Sequence, residues 1–175
     1  MPNTYTKIAS NTVGSGGVAS VIFSSIPATY TDLLIKVSAR GTYAGAITDF
    51  GIAFNGGNRI SDTEFSLITL YTNGTNPISY TRVAFGYNHL FYIPASTATA
   101  STFSNGEVYI TNYTSSSYNK SLSADGVNEN AAATNYNALT SALRTNTAAI
   151  TSITLSAYEN LAEHSTFTLY GISNA

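Results

Sequence analysis

The sequence predicts an all-β protein, folded as an antiparallel sandwich or barrel of about nine or ten strands. Short segments alternate apolar and polar residues with a period of two, which is the pattern of half-buried strands. Turns rich in Gly, Asn and Pro separate these segments at short spacings. No segment supplies the crossover helices that a parallel arrangement needs, so antiparallel order is expected.

The first half of the chain contains five predicted strands. Pro27 ends the second, because proline cannot donate a hydrogen bond to a neighbouring strand. The sequence Asn-Gly-Gly-Asn at 55–58 is a strong hairpin-type turn after the fourth. The five predicted strands are residues 5–10, 18–23, 33–40, 48–54 and 65–71.

The middle of the chain is less regular. Residues 78–93 are long for one strand, and Gly86 marks a bulge or a break. Residues 103–111 and 120–127 alternate clearly and are predicted strands.

Residues 131–145 fit two patterns. Tyr136, Leu139 and Leu143 have the spacing of a helical stripe, whereas Ala138 and Ala142 share one face of a strand with Tyr136 and Thr140. We prefer the strand, because the segments on both sides are β.

The clearest structural signal is the last stretch, from Ile150 to Ile172. Two alternating runs, 150–157 and 165–172, flank a polar connector, and we predict that they form an antiparallel hairpin. Its core residues are expected to be Ile153, Leu155, Phe167 and Leu169.

The same pattern places Tyr170 and Ile172 on the opposite face of the last strand. A soluble monomer would carry polar residues at such positions. We therefore expect both side chains to be covered, by a second subunit or by the N-terminal strand.

Length and composition indicate a single domain with few charges. The chain has 175 residues, of which 43% are hydrophobic and only 9% are charged, against about 25% charged in an average domain. The 13 Tyr and 8 Phe argue against disorder. A net charge of -2 gives no attraction to nucleic acid or to an anionic membrane, and it gives little self-repulsion. This composition suits an assembly subunit or an extracellular particle protein.

The sequence contains no Cys, which excludes disulfides and thiolate chemistry. No apolar run approaches the roughly 18 residues of a transmembrane helix. Lys7 is not followed by the apolar core of a secretory signal, so we expect none.

Catalytic residues are sparse, and we expect no enzyme. His89 lies in an aromatic segment and His164 in the last connector, and both are predicted to be structural or surface residues. Paired carboxylates could hydrolyse glycans, but none stands in an obvious apolar pocket. The acidic pairs are Asp62 and Glu64, Asp125 and Glu129, and Glu159 and Glu163.

No metal or cofactor site is expected either. The segment DGVNEN, residues 125–130, offers oxygens that suit calcium, but it lacks the calcium-loop pattern and is predicted to be a solvated turn. The glycines at 14–17 precede a strand, whereas a phosphate-binding loop needs a following helix.

Tyrosines in loops are typical of binding surfaces, because they offer rigid amphipathic area at low entropic cost. Here they could face a sugar or a protein, line subunit contacts or pack on the sheets, and the sequence leaves these alternatives open. The residues are Tyr43, Tyr71, Tyr87, Tyr113, Tyr118 and Tyr136.

Four phrases of the sequence, taken in order, resemble a family of small virion structural proteins of tailed phages, common among aquatic and cyanobacterial viruses. The resemblance spans nearly the whole chain, residues 60–88 depart from it most, and the closing ITSITL … F.LYGI is its most specific part. The phrases are YTKIAS, VIFSSIPATYTDLLIKVSARG, YIPASTATASTFSNGEVYITNYTSSSYNKSLSADGVNEN and NTAAITSITLSAYENLAEHSTFTLYGI.

The resemblance implies one jelly-roll-like β-sandwich domain over residues 1–175, with about 8–10 strands and no catalytic residues. Its first functional implication is a capsid decoration (cement) subunit, made in the host cytoplasm, that binds the outer capsid surface as a homotrimer. Partners would be copies of itself and the major capsid protein or another virion protein. The alternative is a tail-fibre or receptor-binding module that recognises a host surface glycan or protein.

The two alternatives use different contacts. A decoration subunit would hold the shell through residues 1–10 and 55–58, and a receptor-binding module would use the loops 43–44 and 113–119. The candidate interface residues are Tyr5, Tyr43, Tyr113, Tyr118, Tyr170 and Ile172.

Overall fold

The computed structural model describes residues 4–59, 64–72, 77–83, 88–128 and 136–173. These residues form twelve strands and no helix. The strands are β1 (Tyr5–Thr12), β2 (Val21–Phe23), β3 (Asp32–Ser38), β4 (Ile47–Phe54), β5 (Phe65–Thr72), β6 (Pro77–Val83), β7 (His89–Pro94), β8 (Asn105–Ile110), β9 (Lys120–Val127), β10 (Asn137–Arg144), β11 (Ile153–Ala157) and β12 (Thr166–Ile172).

Two antiparallel sheets form the protein. The larger sheet has eight strands in the order β1-β12-β3-β8-β9-β10-β5-β6, and the smaller has four in the order β2-β11-β4-β7. The predicted all-β sandwich is confirmed, with more strands than the predicted nine or ten. The segment 78–93 supplies two of them, β6 in the larger sheet and β7 in the smaller. Gly86, where we expected a bulge or break, lies outside the described residues.

Three phenylalanines occupy the centre of the core. Phe50 of β4 lies 5.0 Å from Phe91 of β7, measured between ring centroids, and 6.0 Å from Phe167 of β12. The contact between Phe50 and Phe167 joins the two sheets, and the rings are stacked at 13°. All three are completely buried, and each contributes about 1.5–3 kcal/mol of hydrophobic stabilisation.

Phe91 packs on a pair of glycines in the larger sheet. Gly106 of β8 and Gly126 of β9 lie directly opposite each other in the register. A Cβ atom on Gly126 would lie 2.3 Å from Cγ of Phe91, and one on Gly106 would lie 2.6 Å from Cζ. Only glycine fits at either position, because any side chain would overlap the phenylalanine ring.

A buried cation organises the loop between β8 and β9. Lys120 is completely buried, and its Nζ donates hydrogen bonds to the carbonyl oxygens of Ser115, Tyr118 and Thr147 at 2.6, 2.7 and 2.9 Å. Burial lowers the pKa of Lys120, and the nearby charge of Arg144 lowers it further. The lysine thereby connects this loop to the chain that follows β10.

The predicted closing hairpin is wrong. β11 pairs with β2 and β4 in the smaller sheet, whereas β12 pairs with β1 and β3 in the larger sheet. The connector 158–164 therefore crosses from one sheet to the other. Both strands have the predicted core residues, but they fill the core from opposite sides. Period-two alternation identifies the buried face of each strand and does not identify its partner.

The turn at 55–58 is present, but it does not make a hairpin. Asn55 and Gly56 have positive φ values of 53° and 77°, and the N–H of Gly57 donates to the carbonyl of Phe54 at 2.9 Å. β4 and β5, on either side, belong to different sheets. The Asn55 side chain donates to the carbonyl of Ala149 and accepts from the N–H of Thr151, both at 2.8 Å. The turn is thereby attached to the segment that precedes β11.

The preference for a strand over a helix within 131–145 is confirmed. β10 points Ala138, Thr140 and Ala142 into the protein and exposes Leu139 and Leu143. Residues 131–135 of the predicted segment lie outside the described residues.

The contact between Phe91 and the glycine pair predicts a large effect of one methyl group. Gly126→Ala should lower the free energy of unfolding by about 1–3 kcal/mol, because the added Cβ overlaps the ring and the core must shift. Urea denaturation of purified protein measures this. Gly14→Ala is the matched control, since nothing lies within 4 Å of its Cβ position, and it should change stability by less than about 0.5 kcal/mol. Equal effects of the two changes would contradict the proposed packing.

Candidate functional site

The outer face of the larger sheet, which points away from the smaller sheet, exposes a group of large apolar side chains. Leu139 is 63% exposed and Ile68 is 55% exposed. We call the group the apolar patch, and its members are Ile68 and Leu70 on β5, Val127 on β9, and Leu139 and Leu143 on β10. Contiguous exposed apolar surface of this kind marks interaction sites in folded proteins.

The register of the sheet brings these residues together. Leu70 lies directly opposite Leu139 on the neighbouring strand, and Ile68, two residues before Leu70, lies on the same face. Two shallow hollows of about 330 and 350 Å³ lie on the patch and share Leu70, Leu139 and Asp125 in their lining.

β10 has both of its leucines on the outside and the smaller Ala138, Thr140 and Ala142 inside, with Arg144 buried at its end. The reason is the close approach of β7. The hydroxyl of Thr140 donates to the carbonyl of Leu90 on β7 at 2.6 Å, and it lies 2.9 Å from the hydroxyl of Thr69. At that separation only small side chains fit between the two strands.

Three tyrosines lie further along the same outer face. A hollow of about 440 Å³ is lined by Tyr5 of β1, Tyr170 of β12 and Tyr109 of β8, together with Leu34, Lys36 and Glu107. The outer face therefore has a tyrosine-rich part and an apolar part.

Few charges separate the two parts. Lys36 forms an ion pair with Glu107, and that hydrogen bond raises the pKa of Lys36. Asp125 lies opposite Glu107 on the next strand, and burial, followed by the charge of Glu107, raises the pKa of Asp125. The small net charge of this group gives the outer face little long-range field.

Tyr109 is held by a buried carboxylate. Its hydroxyl donates to Oδ2 of Asp32 at 2.7 Å, and the backbone N–H of Asn112 donates to Oδ1 at 2.7 Å. The hydrogen bond to Asp32, followed by burial, raises the pKa of Tyr109 to about 12. The ring is thereby fixed on the outer face.

Of the six predicted interface residues, two lie on the outer face, two are exposed in loops and two are buried. Tyr5 and Tyr170 lie together on the outer face, as the tyrosine-rich hollow shows. Tyr118 is exposed in the loop before β9, and Tyr43 is partly exposed beside Tyr158, with ring centroids 5.6 Å apart. The structure does not place Tyr43 or Tyr118 in that hollow.

Ile172 is buried within a single copy of the chain, at 3% exposure. It lies between Tyr5 of β1 and Asp32 of β3 in the register, so the N-terminal strand is its neighbour in the sheet. Its burial needs no second subunit, and Ile172 offers little area to a partner. Tyr170 is half-buried.

The placement of Tyr113 at an exposed interface is wrong. Its side chain is completely buried, and its hydroxyl donates to the carbonyl oxygen of Pro27. Asn112, with a φ of 48°, ends the extended backbone after β8, and Tyr113 then enters the core.

Tyr71 and Tyr136, two of the tyrosines that the sequence analysis considered for a binding surface, pack against the sheets. Tyr71 and Tyr136 meet edge-to-face at 5.7 Å, and both contact Tyr92. This is one of the alternatives that the sequence left open. Tyr87 lies outside the described residues.

The sequence reasoning missed the apolar patch. A signal was present, because Leu139 and Leu143 are the large residues of the rejected helical stripe and lie out of phase with the core face of the strand. Large apolar residues on the outward phase of a strand predict an interface.

The histidines and acidic residues are not brought together in a catalytic arrangement among the described residues. His89 is buried with its Nε2 3.5 Å from Oδ1 of Asp49 and its ring on Tyr92, whereas His164 is exposed beside Glu163. No group of three potential metal ligands occurs in the part of the chain that the structure describes. Two members of the acidic pairs, Asp62 and Glu129, lie outside that part.

No protein-family model matches the chain, and no curated protein is significantly similar to it. The resemblance to phage virion proteins therefore stays a prediction. Within the described ranges, no helix is long and apolar enough to cross a membrane.

The bond between Tyr109 and Asp32 predicts a pH-dependent stability difference. The folded-state pKa of about 12 lies above the ordinary value of 10, so the stabilisation is fully present below pH 10. It is lost as the pH rises through 12, because the tyrosinate cannot donate. Tyr109→Phe should therefore be less stable than wild type by about 1–2 kcal/mol at pH 8, and the difference should shrink towards pH 12. Urea denaturation across this range measures it, and a constant difference would contradict the assignment.

Proposed function

We propose that this protein is a non-enzymatic structural subunit of a phage virion, which acts as a capsid decoration (cement) protein on the particle exterior. The sequence resemblance motivates the proposal. The observation that carries it is the apolar patch, because such a surface suits permanent association better than catalysis or transient signalling.

The connectivity of the strands supports the jelly-roll form of the sandwich. β1 pairs with β12, β2 with β11, β3 with β8, and β4 with β7, so the first strand meets the last and the pairs nest inward. Two further hairpins, β5–β6 and β9–β10, pair with each other through β5 and β10. They extend the larger sheet from four strands to eight. Every member of the apolar patch lies on this extension.

A second copy of the chain is the occupant that best fits the outer face. Eight strands at spacings of about 4.8 Å, each about seven residues long, give a face of roughly 900 Å². A stable interface buries about 800 Å² on each partner. Lys36 and Glu107 already neutralise each other, and the whole chain has a net charge of only -2, so two copies meet with little repulsion.

An oligomer explains how a small subunit could stabilise a shell. Each copy would contact the capsid weakly, but an oligomer would contact several capsid subunits at once and gain avidity. Binding to the assembled shell alone would then stabilise that state by mass action. Candidate shell contacts are the edge strand β1, at the end of the larger sheet, and the exposed turn at 55–58.

Receptor binding is the second candidate function. One observation favours it: Tyr43 and Tyr158 form an edge-to-face pair at 5.6 Å on the surface, and Tyr158 is 59% exposed. Exposed, braced tyrosines suit recognition of a glycan or a protein.

The proposed self-association predicts the effect of one charge in the patch. Leu139→Asp should convert an oligomeric wild type into the 18.4 kDa monomer, because a carboxylate in an apolar interface must be desolvated without a partner. Sedimentation equilibrium measures the mass. Ile22→Asp is the matched control, since Ile22 is similarly exposed on the smaller sheet, and it should leave the oligomer intact. A monomeric wild type at high concentration would contradict the proposal.

The decoration role itself predicts a change in particle stability. Virions stripped of this protein should release their nucleic acid at a lower temperature than intact virions, and adding back wild type should restore the difference. Adding back Leu139→Asp should restore it poorly. Unchanged thermal release after stripping would contradict a cement function, and a loss of adsorption to host cells instead would favour receptor binding.

A further inference from the structure

We propose a saccharide-binding site on the outer face of the smaller sheet. A hollow of about 490 Å³ lies there, and its size suits a ligand of about one to three sugar rings. It is lined by residues of β11, by the turn after β4, by the connector after β11 and by Ala19 and Ser20.

The floor of the hollow is polar and rigid. Thr154 and Ser156 alternate along β11 with the fully buried Ile153 and Leu155, so they face outward into the hollow. Arg59 lies beside them, only 3% exposed, and its Nε donates to the hydroxyl of Ser156 at 3.0 Å.

A glycine in β4 makes room for this arginine. A Cβ atom on Gly51 would lie 1.9 Å from the carbonyl oxygen of Asn88 and 3.0 Å from Cδ of Arg59, so the glycine admits both the Asn88 backbone and the arginine stem. Gly51 pairs with Ser156 in the register, which places the guanidinium and the hydroxyl together. A pre-organised floor of this kind binds a ligand without an entropic cost for ordering it.

The walls supply an aromatic ring and amide groups. Tyr158, Glu159 and Asn160 form one wall, and Asn58 lies on the turn that forms another. Tyr43 braces the Tyr158 ring, and the carbonyl of Asn160 accepts a hydrogen bond from the N–H of Thr42 at 2.9 Å. The wall is therefore attached to the loop that follows β3.

This combination fits a neutral saccharide. A pyranose presents an apolar C–H face, which packs on an exposed tyrosine ring, and a rim of hydroxyls, which both donate and accept hydrogen bonds. Amides, a hydroxyl, a carboxylate and a guanidinium around one hollow match that rim. The charges of Arg59 and Glu159 oppose each other, so the hollow has no net charge with which to select an anion.

The site rests on the second candidate function, receptor binding, and adds the class of ligand. It does not depend on the contact between subunits. The hollow is on the smaller sheet, whereas the apolar patch is on the outer face of the larger sheet on the other side of the sandwich. A copy that is attached through the larger sheet would still present the hollow to its surroundings.

Saturation-transfer NMR on the intact chain tests the proposal with a fixed panel of maltotriose, cellotriose, chitotriose, lactose and sialyllactose. At least one neutral saccharide should receive saturation, with dissociation constants near the millimolar range. Tyr158→Ala should weaken that binding about tenfold or more, and Asn58→Ala should weaken it as well. Tyr118→Ala removes another exposed tyrosine, far from the lining of the hollow in sequence, and should bind like wild type.

Three results would overturn the site: no saturation transfer at ~10 mM of any neutral saccharide, equal binding by Tyr158→Ala and wild type, or binding of sialyllactose alone. Thermal unfolding of each variant distinguishes loss of the site from loss of the fold. If the isolated chain binds a saccharide but loss of that binding does not change the adsorption of virions to host cells, the site stands and the receptor role is refuted.

Discussion

The close approach of β7 to the larger sheet is the constraint on which the rest of the structure depends. Phe91 can reach its position only because Gly106 and Gly126 face each other beneath the ring. The same approach brings the carbonyl of Leu90 to the hydroxyl of Thr140, and the inner-face residues on either side of Thr140 are the small Ala138 and Ala142. The leucines of β10 are on the outside, where they form part of the apolar patch. A packing requirement in the core is thereby connected directly to the surface that we propose for association.

The positions of the strands could be read from the sequence, but their partners could not. Alternation identified the core residues of β11 and β12 correctly, yet the two strands belong to different sheets. A period of two shows which side of a strand is buried, and that side is the same whether the chain turns back in a hairpin or crosses the sandwich. The Asn-Gly turn after β4 carried the same ambiguity. The predicted turn is present, with positive φ at Asn55 and Gly56, and the chain nevertheless leaves the sheet there.

The candidate surface was harder to predict because tyrosine suits both the core and the surface. Tyr113 and Tyr118 lie in one polar segment, and the first is completely buried while the second is 71% exposed. The difference comes from the backbone of Asn112 and from the hydrogen bond of Tyr113 to Pro27, both of which depend on the tertiary structure. Leu139 and Leu143 carried a clearer signal, since leucine has no polar group that favours exposure. In the strand that the sequence favours, both fall on the phase opposite to the core residues.

The small number of charged residues bears both on the structure and on how a partner can be recognised. Two of the few cations hold loops: the buried Lys120 and the half-buried Arg40 donate to backbone carbonyls of the loops beside them. Others are held close to carboxylates, as in the pairs of Lys36 with Glu107 and of Arg144 with Glu64. Little charge then remains to steer a partner from a distance, so recognition must depend on shape and short-range contact. The apolar patch on one sheet and the polar hollow on the other are the two surfaces that we propose to work in this way, and together they would allow one small domain to attach and to bind at the same time.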